Sequence, residues 1–144
     1  MVMNEEERWN YLLTLDDELL KGGVILSEWC SLMVRESDIA FAKGAFLASI
    51  ITAVSAIETY LRSESETVKK SNLFQILQKA DIDGELANEI DTIRQFRNKF
   101  VHVDNPWDDQ QLPEDEQFVT KNIEKMAFRA VKALRRTLYS SQFI

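Results

Sequence analysis

A run of 14 residues without a charged side chain, residues 44–57, constrains the fold more than any other part of the sequence. From Ala45 to Leu61 the side chains are apolar or small on nearly every side of an ideal helix, so such a helix must be covered on most of its faces. The run is too short, and carries too many hydroxyl groups, to cross a bilayer. The sequence therefore predicts a central buried helix of about residues 37–62 and no membrane span.

Apolar residues recur at helical spacing along the rest of the chain too, in segments 4–21, 24–35, 72–80, 84–101 and 114–140. The second segment is either a separate helix or a continuation of the first, bent at Gly22 and Gly23. Four Gly and two Pro in 144 residues leave few turns, which favours long helices over many short strands. We expect an all-α fold, an antiparallel bundle of four to five helices in one domain of residues 1–144.

Composition narrows the possible compartment and partners. The N-terminus is acidic where a signal peptide would be basic and then apolar, so we expect a cytoplasmic protein. Cys30 is the one cysteine and lies in an apolar context, which predicts a core residue rather than a reactive thiol. The formal net charge of −7 disfavours nonspecific binding to phosphate backbones.

The only histidine, His102, ends a basic segment within this acidic chain. The ten residues before it include Arg94, Arg97 and Lys99 and no acid. Asn98 and His102 are one helical turn apart and therefore neighbours, whereas Arg97 lies about 140° from His102 around an ideal helix. A guanidinium, an amide and an imidazole this close in sequence can bind a phosphate, orient it and move a proton.

The pattern Arg97-Asn98-x-x-x-His102 resembles the signature of HEPN domains, an all-helical family with many metal-independent ribonucleases. The motif follows a long apolar helix that contains a single acid, Glu58, and lies near the end of a late amphipathic helix, an arrangement similar to that of the family. The resemblance covers about residues 39–138.

The resemblance implies an endoribonuclease in which the ribose 2′-hydroxyl attacks the adjacent phosphate and leaves 2′,3′-cyclic phosphate and 5′-hydroxyl ends. His102 is then expected to act as base or acid, Arg97 to bind the non-bridging phosphate oxygens, and Asn98 to orient His102 or the phosphate. Neither a metal nor a cofactor is expected, because the nucleophile belongs to the RNA.

Further residues and partners follow from the same resemblance. Lys99 is expected to contact RNA, and Glu58 and Arg94 to support the catalytic residues. Glu58 is open to two interpretations: an exposed pair with Arg62 one turn on, or a partly buried carboxylate that anchors Arg97 or Arg94. The active form is expected to be a homodimer with the motif at a shared cleft, acting as a toxin or phage-defence effector, with an antitoxin or regulatory protein as a possible partner.

An alternative of a different class is a catalytically inactive HEPN-like module that dimerises or binds a partner, which the net charge favours. Some HEPN toxins have the pattern Arg-x-x-x-x-His-x-Tyr, and this chain departs from it at the last position, where it has Asp104 instead of tyrosine.

The polar face of the last predicted helix carries six basic residues and one acid, Glu124. These bases either bind along RNA or offset the charge of the acidic first helix. Acidic residues at 81–83 and 104–116 are interpreted as caps and a solvated loop rather than metal sites.

Overall fold

The computed structural model describes residues 2–64, 71–107 and 116–143, and these fold as an all-α bundle. Its helices are α1 (Glu5–Leu19), α2 (Glu28–Ala42), α3 (Phe46–Ser63), α4 (Leu73–Lys79), α5 (Gly84–Val101) and α6 (Glu116–Leu138). The prediction of an all-α bundle is confirmed. Within the described ranges there are six helices, where the sequence led us to expect four to five.

The first two predicted segments are separate helices, and the boundary expected near residue 36 is wrong: α2 runs through it and joins most of segment 24–35 to the start of the helix predicted for residues 37–62. The break between α2 and α3 lies at residues 43–45 instead. Gly44 separates them with a backbone φ of 82°, a left-handed conformation that side chains with a Cβ rarely adopt. The chain reverses there, so the charge-free segment forms α3 alone. Eight of its side chains are buried, as the sequence predicted for the central helix.

Hydrogen bonds between α2 and α3 show that this pair is antiparallel. Ser37 Oγ donates to the Ser49 carbonyl over 3.0 Å, and Ser49 Oγ donates to the Ser37 carbonyl over 3.0 Å. Further along the pair, the Cys30 thiol contacts the Ala56 carbonyl at 3.7 Å. A residue earlier in α2 therefore contacts a residue later in α3, as expected for two antiparallel helices joined by a short connection.

α6 packs against α1, α2, α3 and α5. Ion pairs of Arg129 with Glu89 and of Arg136 with Glu85 show that it runs antiparallel to α5. α6 runs parallel to α1. The Tyr11 ring packs against the Phe128 ring, and further along both helices the Leu19 carbonyl accepts from the side chain of Gln142, just beyond the end of α6. The bundle therefore combines antiparallel neighbours with a parallel pair.

Local signals in the sequence fix several helix ends. Asn4 and Asn72 each form a capping box, with Glu7 and Gln75 respectively, as the spacing predicts for Asn72.

Cys30 is fully buried, and burial raises the pKa of its thiol, so the prediction of a core residue is confirmed. Of the helices described, none is both long and apolar enough to cross a membrane.

Candidate functional site

The motif lies at the C-terminal end of α5. His102 is the residue at which the helix ends: its backbone N–H still donates to the Asn98 carbonyl over 3.1 Å, but its φ of −126° and ψ of 71° are not helical. Its side chain is exposed to solvent. An imidazole in this position is accessible to a large substrate, which a core histidine would not be.

Arg97 is partly buried and is held by the residue next to it. Its Nε and Nη2 donate to Asn98 Oδ1 over 3.1 and 2.8 Å. No carboxylate of the described chain lies within ion-pair distance of the guanidinium. Since arginine has five N–H donors, donors remain for an anion from outside the protein.

The surroundings of Arg97 act on its charge in opposite directions. Burial of the guanidinium is the largest effect and lowers the pKa of Arg97, and the positive charge of Arg94 lowers it further. The carboxylate of Glu58 raises that pKa without reversing the shift. The guanidinium is therefore a cation whose charge the protein does not fully compensate.

Arg94, unlike Arg97, forms an ion pair with a carboxylate. Its Nε and Nη2 contact Asp91 Oδ1 at 2.9 and 2.8 Å, within one turn of α5. Its guanidinium also lies over the Phe74 ring, 5.6 Å from the centroid. Arg94 thus links α5 to α4, and its charge is balanced by a neighbour on its own helix.

Glu58 pairs with Arg62, as in the first of the two arrangements that the sequence left open, but the pair is partly buried rather than exposed. Its Oε1 accepts a hydrogen bond from Arg62 Nη2 over 2.8 Å, and about 30% of each side chain remains exposed. Arg62 also donates to the Ser71 carbonyl. Glu58 consequently reaches Arg97 only through the longer-range attraction already described, and it does not hold the guanidinium by a hydrogen bond.

Lys99 is exposed, and its ammonium lies 5.9 Å from the centroid of the Phe96 ring. Phe96 in turn packs against Phe100, with ring centroids 5.3 Å apart. Lys99 has no acidic partner within the described part of the chain. Of the three cations in the basic segment, Asp91 therefore balances Arg94, while Arg97 and Lys99 remain without an ion pair.

Of the three motif side chains, those of Arg97 and Asn98 are in contact. Arg97 and His102 diverge around an ideal α5, but the Arg97 guanidinium turns onto Asn98, which is one turn from His102. The sequence led us to expect that Asn98 would orient His102 or the phosphate. In the structure its amide oxygen accepts from Arg97, and its NH₂ group has no acceptor among the described residues, so that expectation stays a prediction.

Trp107 was not identified from the sequence. It follows His102 by five residues and is 89% exposed, while its backbone N–H donates to Asn105 Oδ1 over 3.2 Å. The signal was a tryptophan directly after Asn105 and Pro106, a turn sequence that offers it no helix face on which to be buried. An exposed indole near the motif can stack on a nucleobase.

Comparison with known proteins adds no relative: no family model matches the chain, and no curated protein or solved structure matches it. The likeness to HEPN domains therefore depends on the motif and its place among the helices. Within the described residues, no three acidic, His or Cys side chains are placed to hold a metal ion. Most of the acidic loop, residues 108–115, lies outside the described residues.

Proposed function

We propose that this protein is a metal-independent endoribonuclease of HEPN type. The observation that supports this most directly is the Arg97 guanidinium, which is partly buried, fixed by the neutral Asn98 amide and free of any carboxylate partner in the described chain. Keeping a cation in that state is unfavourable unless an anion occupies the site. The exposed His102 one turn from Asn98 adds a group that can move protons near neutral pH.

In the proposed reaction the 2′-oxygen of a ribose forms a bond to the adjacent phosphorus, and the bond from phosphorus to the 5′-oxygen breaks. A base takes the proton of the 2′-hydroxyl, and an acid gives a proton to the departing 5′-oxygen. Arg97 binds the non-bridging oxygens, where negative charge grows in the transition state. The products are a 2′,3′-cyclic phosphate and a 5′-hydroxyl.

The two proton transfers give a reason for a symmetric dimer. Each chain has one histidine, His102, so a single copy offers one imidazole where the reaction uses a base and an acid. Two copies of the motif facing one cleft would supply both, and would also pool the positive charge of Arg97 and Lys99. Mixing His102→Ala chains with Arg97→Ala chains puts one His102 and one Arg97 into the shared cleft, so the mixture should cleave faster than either variant alone but more slowly than the parent, which has both imidazoles.

The central experiment is incubation of RNA with the protein in EDTA, followed by analysis of the new ends. We expect 2′,3′-cyclic phosphate ends from the parent protein and none from His102→Ala. Arg97→Lys should cleave at least about 100-fold more slowly, because a point charge does not replace a bidentate fork. Melting temperatures within a few degrees of the parent would show that both variants fold. Cleavage by His102→Ala at the parent rate would refute the proposal.

The alternative is an inactive HEPN-like module that dimerises or binds a regulatory protein. It is favoured by the net charge of −7, which weakens nonspecific attraction to RNA. As part of the main proposal, we infer a cytoplasmic enzyme that acts as a toxin or phage-defence effector, with an antitoxin or regulatory protein as its partner. Intact RNA after incubation with a correctly folded dimer would favour the alternative.

A further inference from the structure

The six basic side chains of α6 fall into two groups. All three arginines have carboxylate partners: Arg129 pairs with Glu89, Arg135 with Asp16 and Asp38, and Arg136 with Asp83 and Glu85. The sequence suggested an offset of the acidic first helix, but of these carboxylates only Asp16 belongs to α1, and the others belong to α2 and to α5 with its N-cap. The three arginines leave no net positive charge for another partner.

The three lysines of α6 differ from the arginines. Lys121, Lys125 and Lys132 are exposed, and none forms an ion pair or side-chain hydrogen bond within the described residues. Lys132 interacts with Glu89 only through longer-range attraction, which contributes to the lowered pKa of Glu89. Spacings of four and seven residues keep them within about 40° of one face of the helix and spread them over roughly 16 Å. We call these three residues the lysine ridge. On α6 itself one acid, Glu124, borders it, and Glu89 of α5 is already paired with Arg129, whereas lysines kept only for solubility are usually interspersed with acids.

The lysine ridge extends towards the motif. Arg129 of α6 pairs with Glu89 of the antiparallel α5, which sets the register of the two helices. Lys121 is eight residues before Arg129, and Arg97 is eight residues after Glu89. Both therefore lie roughly 12 Å beyond the ion pair in the same direction along the bundle.

Aromatic side chains accompany these cations. A shallow cleft of about 460 Å³ on α6 is lined by Lys121, Glu124, Lys125, Phe128 and Arg129. Phe118, one turn before the cleft, is 55% exposed, and on α5 the Lys99 ammonium lies beside the Phe96 ring. Cations next to accessible aromatic faces suit a single nucleic-acid strand, because phosphates meet the cations while bases stack on the rings.

We propose that the lysine ridge, continued by Lys99, is the surface along which single-stranded RNA reaches the motif. This inference rests on the proposed function, since it assigns the substrate path of the same site. It also explains how a protein with a net charge of −7 attracts RNA: the positive charge is concentrated on one exposed face.

Binding can be tested without cleavage. In a His102→Ala background, a triple change of Lys121, Lys125 and Lys132 to Gln is compared with a triple change to Gln of Lys21, Lys43 and Lys79, which are exposed lysines outside α6. Because Lys43 pairs with Glu5 and Lys21 donates to the Asp17 carbonyl, the melting temperatures of both variants are compared as well. Both variants lose three positive charges. Fluorescence anisotropy of a labelled single-stranded RNA of mixed sequence gives Kd as a function of salt concentration.

We expect the ridge variant to bind roughly tenfold more weakly or worse, and the magnitude of its slope of log K against log salt to fall by about 2, since three phosphate contacts are lost. The control variant should stay within about twofold of its parent. Equal weakening by the two triples, parent-like binding by the ridge variant, or no RNA binding by the His102→Ala background protein would each overturn the inference. Lys125→Glu alone serves as a second variant if the triple folds poorly.

The outcome separates this inference from the proposed function. With the catalytic residues intact, the ridge variant should raise KM and leave kcat unchanged, because no ridge residue belongs to the motif. If the parent fails to cleave but binds RNA through the ridge, the inference stands and the proposed ribonuclease activity falls. If the parent cleaves and the ridge variant has the same KM, the activity stands and the inference falls.

Discussion

Arg135 of α6 is buried and Arg97 of α5 is partly buried, and the charges of these two arginines are compensated very differently. The Arg135 side chain is 4% exposed and contacts Asp16 at 3.0 Å and Asp38 at 2.8 Å, so it joins α1, α2 and α6. Arg97 contacts only the amide oxygen of Asn98. The Arg135 guanidinium has a structural role, whereas the Arg97 guanidinium can still bind an anionic ligand.

The pKa shifts of the two arginines express this difference. Burial alone would lower the pKa of Arg135, but hydrogen bonding and the charges of Asp38 and Asp16 outweigh it and raise the pKa. For Arg97 burial is again the largest effect, and the attraction of Glu58 does not outweigh it, so the pKa is lowered. A buried cation needs a full charge partner to be structural. Without one, its field is available to a ligand.

The largest expected effect is on stability, from the same substitution at each arginine. Arg135→Met leaves Asp16 and Asp38 without their cation and should lower the free energy of unfolding by about 3 kcal/mol. Arg97→Met breaks no ion pair and should change it by less than about 1 kcal/mol. Urea unfolding followed by circular dichroism measures both values. Losses of similar size would mean that the two arginines do not differ as described.

A smaller effect is expected from giving Arg97 the carboxylate it lacks. In Asn98→Asp the acceptor stays where it is, but the bond becomes charge-assisted and the local cation is neutralised. RNA cleavage should fall by about tenfold, while stability stays within about 1 kcal/mol because the new pair is offset by an acid near a helix C-terminus. The matched control is Asn98→Ala, which leaves Arg97 charged and unpaired. If the Asp variant cleaves RNA as fast as the parent, the lack of a carboxylate is not functional.

The smallest effect concerns Tyr139, whose hydroxyl donates to Asp16 Oδ1 over 2.7 Å beside Arg135. Burial, and then the hydrogen bond to Asp16, raise the pKa of Tyr139 above its ordinary value of 10.0. The folded state therefore holds this proton more tightly than the unfolded state. Its contribution to stability is complete below pH 10.0 and is lost as the pH rises above that value.

Tyr139→Phe should accordingly cost about 1 kcal/mol near neutral pH and make the alkaline loss of stability less steep. Urea unfolding across the neutral and alkaline range checks both statements. The decline should become smaller without disappearing, because burial also raises the pKa of Tyr11 and Tyr60. An unchanged alkaline decline would show that Tyr139 does not titrate as part of the Arg135 network.

The contrast between the two arginines also marks what the sequence could predict. Features set by nearby residues were predictable: the all-α class, the cap at Asn72, the burial of α3 and the Glu58 pairing with Arg62, which lies one turn away. The break at Gly44 was missed because helical periodicity continues on both sides of it, and one glycine in such a pattern is tolerated in many helices.

Pairings across the bundle were not predictable. Asp16 and Asp38 lie far from Arg135 in sequence, so nothing local distinguishes this arginine from the unpaired Lys132 three residues before it. The same holds for the candidate site. The spacing of Arg97, Asn98 and His102 in the sequence was enough to group them as a candidate site. Only the structure shows that Arg94 pairs with Asp91 and that Arg97 donates to Asn98.

The position of α6 in the chain has a consequence for biosynthesis. It packs against four other helices, yet it is the last described helix to leave the ribosome. A nascent chain that ends before α6 already contains Arg97, Asn98 and His102, but α3 is then uncovered on one side and Glu89 lacks the arginine that fixes α5. The motif is thus translated before the helix that packs against α5, and we expect any activity of the motif to arise only after α6 has been synthesised.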